Sequence, residues 1–344
     1  MSTSTGPLAD IDRTLRDSFG WYTVSKKEFK DAIRSRGLLL LGLIFTVSFI
    51  APVAGALWFD FGAGSGQQAQ LLQERGMQFL LSSIYLSLVT FLLPVVAIFV
   101  GYAAISKERT SGSLKLLLSL PHSRKDVIMG KVLGRCAVLG VPLLASLVLT
   151  SVILVASELT FKPGLFALFG FFTLVFGLVF VAITVSISGV FEKSSWSGIA
   201  NFIVYFFFTF VWNSLSNGIG DTLANDLGIT GTIRWHIVLL LKLLNPNQAY
   251  RTLVNSILAE SESSALGARF QMFPRGADRQ AICSNVLNGS PQTQQSLFGE
   301  VVTCQPGANP IPFIYSDPAV VVFMLAWIGI AATLSYYTFN LADL

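Results

Sequence analysis

Lys107-Glu108-Arg109-Thr110-Ser111-Gly112-Ser113-Leu114-Lys115-Leu116-Leu117-Leu118-Ser119-Leu120-Pro121-His122-Ser123-Arg124-Lys125-Asp126-Val127-Ile128-Met129-Gly130-Lys131 is a charged stretch set between two long apolar runs. Within it, Leu114, Leu117 and Leu118 recur at spacings of three and four and predict a short helix with one apolar face. Such a face fits a hydrophobic groove on a soluble domain. Glu108, Arg109, Arg124, Lys125 and Asp126 flank the helix and can pin it by ion pairs. Gly112 and Pro121 bound it, and Ser123 or Asp126 can cap the helix that follows. The alternative is an ordinary basic loop, but such loops rarely carry a leucine-rich helix between charge clusters.

Outward from this stretch the chain is apolar. Charged residues make up 12% of its 344 residues, about half the usual share of a soluble domain (~25%). A membrane-crossing helix takes roughly 20 apolar residues. Six stretches meet that length: Gly37–Phe59, Gln78–Ile105, Cys136–Ser157, Leu165–Val190, Ser197–Asn217 and Ala319–Phe339, none containing Asp, Glu, Lys, Arg or His. The first 36 residues are too polar for a cleavable signal peptide. The expected fold is therefore an all-α membrane protein with six transmembrane helices.

Lysine and arginine counts orient it. With the N-terminus inside, the inner segments hold 15 basic residues, and the short outer loops hold only Arg75 and Lys162. Both termini are then cytoplasmic and the protein is multi-pass in the plasma membrane. The positive net charge follows from topology and contact with membrane lipids; it does not indicate nucleic acid. Cys283 and Cys304 fall in the long outer segment, on an oxidising face, where they either pair or remain free thiols. A disulfide there would close a loop of about 20 residues and contribute roughly 3 kcal/mol.

The ordering along the chain is as follows. Residues 1–36 are an N-terminal tail and an interfacial elbow helix: 1–10 read as disordered, and 11–36 as one amphipathic helix. Tyr22, Phe29 and Ile33 lie on one stripe of it, with Lys27, Asp31 and Arg34 opposite. A simple basic anchor is the alternative. Residues 37–217 hold spans one to five with the coupling helix at about 107–127, 218–318 form the extracytoplasmic segment, and 319–344 hold the last span and the C-terminus. Residues 235–244 are too apolar for a loop and too short to span, so they predict a re-entrant or interfacial helix stopped at Asn245-Pro246. A second helix is expected over 248–260, and 262–318 read as loop-dominated. Asn288-Gly289-Ser290 is a glycosylation sequon on the outer face.

Several chemistries lack their residues. The predicted spans carry no ionisable group for proton coupling. The two histidines, His122 and His236, fall on opposite faces, which leaves no base beside a nucleophile, and no Cys/His cluster has metal-ligand spacing. Gly130-Lys131-Val132 lacks the Ser or Thr and the earlier Gly of a phosphate loop. The chain therefore reads as neither an enzyme nor an ATPase, and needs no metal or cofactor of its own.

The stretch from 107 to 131 resembles the permeases of the ABC transporter superfamily, type-2 exporter family. Those carry a Glu, a Gly, a Leu-rich helix, a Pro, a basic residue and then Gly-Lys between their second and third spans. The matching positions here are Glu108, Gly112, Leu114, Leu117, Pro121, Arg124, Gly130 and Lys131. Lys27–Arg36 is similar to that family's elbow, and the layout of six spans with a re-entrant element before the last is similar throughout. His122, Ser113 and the long outer segment depart from it. The resemblance implies two ATP-binding subunits, carrying ATP and Mg, docked on residues 107–127, with Phe191–Ser195 as a second contact. It implies a second permease copy or a paralogous permease, and a substrate path between spans two and five. Candidates for that path are Ser83, Ser87, Thr90 and Phe91 on one side and Phe208, Trp212 and Asn213 on the other. The aromatic run Tyr205–Phe210 suits an apolar or amphipathic substrate. The alternative function is a non-transporting scaffold or sensor whose outer segment binds a protein.

Overall fold

A computed structural model describes residues 7–34, 36–58, 76–112, 123–157, 159–259, 264–273, 279–296 and 299–341. Among the described residues, six helices are long and apolar enough to cross a membrane: Arg36–Gly55, Gly76–Thr110, Lys125–Ala156, Pro163–Val190, Ser194–Asn225 and Asp317–Thr338, spans 1 to 6 below. The protein is an all-helical, multi-pass membrane protein; among the described residues the only sheet is one two-stranded hairpin. An even number of spans puts both chain ends on one side, called here the N-terminal face. Spans 2 and 4 are enclosed, while spans 1, 5 and 6 turn most of their surface outward. The core between them is aliphatic and aromatic, with Phe49, Tyr85, Leu93, Leu143, Phe169 and Phe176 almost fully buried.

The N-terminal segment is two helices, α1 (Pro7–Ser18) and α2 (Gly20–Ile33), where one was expected. Phe19 is extended between them. α1 folds back because the Asp12 carboxylate accepts from Tyr22 Oη at 2.9 Å and pairs with Lys26 and with Arg16. Residues 7–10, read as disordered, form the first turn of α1; residues 1–6 lie outside the described part. α2 lies along the start of span 3 and is its closest partner. The contact works because Gly130 and Gly134 present bare backbone there: a Cβ on Gly130 would lie 2.5 Å from Val24 Cβ, and one on Gly134 would lie 2.7 Å from Glu28 Cβ. Small residues four apart let helix backbones meet closely. The buried stripe of α2 is therefore Val24 and Glu28, while Ile33 on the expected apolar stripe stays exposed.

The third helix starts at Arg124, twelve residues before the predicted Cys136. Ser123 Oγ accepts from the Asp126 N–H at 3.1 Å and the Asp126 carboxylate accepts from the Ser123 N–H at 3.1 Å, a reciprocal capping box. Both expected capping residues are used. Lys131 and Arg135, which made this stretch read as an aqueous connection, are turned inward.

Residues 232–258 form a helical hairpin, α3 (Thr232–Leu244) and α4 (Pro246–Leu258). Its apex reaches the middle of the bundle: Asn245 Nδ2 donates to the Phe208 carbonyl at 2.7 Å, 17 residues from the outer end of span 5, or about 26 Å at 1.5 Å per residue. Trp212 Nε1 donates to Leu241 O and Trp327 Nε1 donates to Leu244 O. Tyr250 stacks on Phe176, 4.4 Å between ring centroids, and its hydroxyl bonds Thr173. The hairpin apex thus sits well below the end of span 5, among the other spans. It meets a π-helical turn of span 5, Phe207–Val211, and lies beside another in span 2, Leu80–Tyr85. A π turn breaks the i→i−4 ladder and leaves a carbonyl free to accept elsewhere, which is what Phe208 does.

The outer segment is more ordered than a loop-dominated reading allows. After α5 (Ser264–Phe270), strands β1 (Gly289–Ser296) and β2 (Gly299–Pro306) pair antiparallel, Pro291 opposite Cys304. Cys304 is joined by a disulfide to Cys283, and their Cα atoms are 5.6 Å apart. β1 is Gln/Thr/Ser-rich and lacks the apolar alternation that marks a strand, so backbone pairing and the disulfide define it. Arg269, fully buried, clamps the layer: Nε donates to Tyr315 O, Nη1 to Thr252, and Nη2 pairs with Asp317 at the head of span 6. Asn288 sits at positive φ, and its Nδ2 donates to Pro310 O at 3.1 Å; a sugar on that nitrogen would compete with this bond.

Gly130→Val drives a branched side chain into Val24 and the Trp21 carbonyl. Overpacking of this kind costs ~1–3 kcal/mol. A thermal melt of the purified protein is expected to show a lowered midpoint, with Gly42→Ala, where a Cβ has nothing within 4 Å, as the near-neutral control.

Candidate functional site

The root of the 107–131 stretch is a buried polar centre. Lys131, 0% exposed, projects from span 3 toward three acceptors. Its Nζ donates to Glu28 Oε1 of α2 at 2.9 Å and to the Ala104 carbonyl of span 2 at 2.8 Å. It also lies 2.8 Å from Glu108 Oε2, an ion pair rather than an aligned hydrogen bond. Arg135, one turn further on, holds the other Glu28 oxygen at 2.7 Å. Burial alone would raise the Glu28 carboxyl, but the Lys131 ammonium and Arg135 guanidinium outweigh it and hold it below the ordinary 4.5.

Ala104 is available to Lys131 because span 2 breaks its helix between Gly101 and Ser106. Several of the freed groups are met by side chains of neighbouring spans. Ser188 Oγ of span 4 accepts from the N–H groups of Ile105 (3.0 Å) and Ser106 (3.1 Å). Ser197 Oγ of span 5 donates to Tyr102 O at 2.6 Å, and Ser106 Oγ bonds Ser194 Oγ at 3.2 Å. Gly101 packs tightly on Thr184 of span 4. The exit of span 2 is thus bonded to spans 3, 4 and 5, and α2 is linked to it through Lys131. The short turn at Phe191–Ser195 lies beside it through Ser194.

The Glu108 carboxylate faces inward on Lys131. Arg109 and Gly112 follow on the N-terminal face, Gly112 in a left-handed turn with φ 74° that suits a glycine. Leu114, Leu117, Leu118 and Pro121, the expected docking helix, lie outside the described residues, and Arg124 opens the third helix. Glu28 had no signal in the sequence, since a Glu on an amphipathic helix reads as solvent-facing.

The seven residues expected along a path between spans 2 and 5 divide. Ser83, Ser87 and Phe91 form an outward stripe of span 2, and Asn213 is exposed on span 5. Thr90 is buried instead and accepts from Arg251 Nη2 at 2.8 Å. Phe208 is 5% exposed and Trp212 is tied to the hairpin, so both anchor the fold. Beyond their bonds at the exit of span 2, the two spans also touch where Tyr205 Oη donates to Phe91 O at 3.3 Å. Arg251 corrects a further expectation: the spans carry no ionisable group at depth, but the hairpin brings one there, beside a residue 14 positions into span 2. Among the described residues no group of three or more His, Cys, Asp or Glu could hold a metal.

A family model described as "ABC-2 family transporter protein" matches residues 22–344. The chain belongs to the ABC-2 transporter family. The match begins inside α2, so the helix that carries Glu28 is part of the family unit. Two relatives agree. The probable ABC transporter permease protein NosY of Stutzerimonas stutzeri is 31% identical over 251 residues, 72% of this chain and 84% of that protein. The protein of the same name from Pseudomonas aeruginosa is 32% identical over the same shares. The ABC-2 chain is a membrane subunit of an ABC transporter, a permease that is not itself catalytic, and membership implies ATP-binding partner subunits.

Removing one partner of a buried ion pair strands the others and costs ~3–5 kcal/mol. Lys131→Met is therefore expected to lower the melting midpoint strongly, and the triple variant Lys131→Met/Glu28→Gln/Glu108→Gln to recover most of the loss. Acid titration of stability gives a second check. A carboxyl held low in the fold adds stability above its unfolded value near 4.5, and loses it as pH falls through the native value. Glu28→Gln should flatten that acid limb of the stability curve.

Proposed function

We propose that this permease is the membrane-spanning half of an ATP-driven exporter. It moves an apolar or amphipathic substrate across the plasma membrane, with both termini cytoplasmic. Two ATP-binding subunits, with ATP and Mg, dock on residues 107–127, and two permease copies, or this chain with a paralogous one, form the membrane part. The observation that carries this reading is the anchored exit of span 2: a segment whose root is hydrogen-bonded to three other spans passes a push on its tip into the bundle. The disulfide on the face opposite the termini supports the orientation, since such bonds persist in oxidising compartments. Ser83, Ser87 and Phe91 on span 2, with Phe202, Phe206, Phe210 and Asn213 on span 5, present an exposed aromatic and hydroxyl-bearing surface to the second copy. The substrate path runs between them.

The test uses the permease co-expressed with its ATP-binding subunit and reconstituted in vesicles. Leu117→Asp puts a charge on the docking face and is expected to weaken ATPase co-purification at least tenfold. Glu108→Ala is expected to leave the ATPase bound but to uncouple its hydrolysis from transport. Unchanged co-purification and coupling in both variants would reject the docking assignment and favour a non-transporting scaffold.

A further inference from the structure

On the N-terminal face a cavity of about 710 Å3 lies between α2, span 1, span 2 and the start of span 3. Its size is that of a small-molecule site. Its depth is apolar, lined by Leu41, Ile44, Leu92 and Val96. Its rim is charged, with Lys27 and Asp31 of α2 one helical turn apart and Arg135 beneath them. Its mouth is flanked by Leu40 and Phe99, which are 58% and 68% exposed on the outward surfaces of spans 1 and 2. The opening therefore faces sideways, into the leaflet adjoining the N-terminal face.

We infer that this groove holds one phospholipid with a primary-amine headgroup, its acyl chain in the cleft between spans 1 and 2 and its headgroup against α2. Each part of the lipid meets a complementary group. Arg135 spends Nη2 on Glu28, yet its Nε is buried with no hydrogen-bond partner, a cost that a phosphate oxygen at the rim removes. Lys27 supplies a second donor for the same phosphate. Asp31 makes no ion pair among the described residues and accepts from an ammonium that carries protons. A quaternary choline head cannot donate to it, and a glycerol head offers only neutral hydroxyls and no cation to pair with the Asp31 carboxylate. The lateral mouth selects a membrane-borne ligand over a soluble one. The site is separate from the path between spans 2 and 5, and it adjoins the Glu28–Lys131 centre, so an occupied groove also supports the packing of α2.

The test is photo-cross-linking in nanodiscs with phosphatidylethanolamine bearing a diazirine on one acyl chain, followed by peptide mapping. Label is expected on the segments around Leu41 and Val95. Val95→Trp, which fills the groove away from the ion cluster, should reduce it at least fivefold. So should Lys27→Gln/Asp31→Asn, at surface positions that do not endanger folding. Unlabelled phosphatidylethanolamine should compete at least fivefold better than phosphatidylcholine or phosphatidylglycerol. Equal competition by the three lipids, or label unaffected by both variants, overturns the proposal. Displacement by water-soluble glycerophosphoethanolamine at the same concentration does so too, because the acyl chain would then contribute nothing. Disulfide-linked dimers of Leu40→Cys would put protein over the mouth and overturn it as well.

Discussion

Lys131 is a cation with no exposed surface at the edge of a membrane bundle, and that constraint organises the N-terminal face. A buried ammonium is tolerable only when charge and hydrogen bonds surround it. Glu28, Glu108 and the Ala104 carbonyl do so, the first from α2 and the other two from the exit of span 2. Supplying Glu28 requires α2 to lie against span 3, which in turn requires glycine at 130 and 134. Supplying the Ala104 carbonyl requires span 2 to break its helix, which in turn calls for Ser188 and Ser197 to meet the groups that the break releases. Satisfying one charge thus fixes the seat of an amphipathic helix, the break in a span and the root of the charged segment.

The opposite face solves a different problem. A helical hairpin that enters and leaves on the same side must satisfy its apex within the bundle, because exposed backbone polar groups cost several kcal/mol in hydrocarbon. Asn245 meets this locally by accepting from the Asn247 N–H, and meets its neighbour by donating to the Phe208 carbonyl freed by the π turn. The indole N–H groups of Trp212 and Trp327 cover the carbonyls at the end of α3. Below the apex, Arg269 and Asp317 lock the hairpin to span 6, so the last span is positioned by the outer layer as much as by packing within the bundle.

How much of this could be read from the residues depends on the range of the signal. Twenty apolar residues in a row announce a span on their own, and all six spans lie where hydropathy placed them. The start of span 3 did not, because Lys131 and Arg135 look aqueous until a partner is known, and that partner lies 103 residues earlier in the chain. For the same reason nothing in the sequence paired Glu28 or Glu108 with Lys131. α3 was legible as a helix too apolar for a loop; only its contacts with Phe208 and Trp327 show its depth. β1 offers no period-two pattern, so nothing in its Gln and Thr residues marks a strand. In the candidate path, serine and aromatic spacing gave the outward stripe of span 2 but could not tell that Thr90, on the next face, is turned inward to Arg251.

The distribution of bond types across the bundle bears on how it can move. Both ends are held by charged or multiply hydrogen-bonded clusters, Glu28–Lys131–Glu108 on one face and Arg269–Asp317 with the disulfide on the other. Between them, among the described residues, the spans meet mainly through aliphatic and aromatic packing, and most of the polar ties at mid-height run to the hairpin. Directional bonds resist changes of angle and register; dispersion contacts between smooth apolar surfaces resist separation but tolerate small sliding. Displacement at the exit of span 2 is therefore carried into spans 3, 4 and 5 as a unit. It is accommodated at mid-height, where the π turns at Leu80–Tyr85 and Phe207–Val211 already depart from the helical ladder. The hairpin apex, bonded to one of those turns, would register the motion on the opposite face.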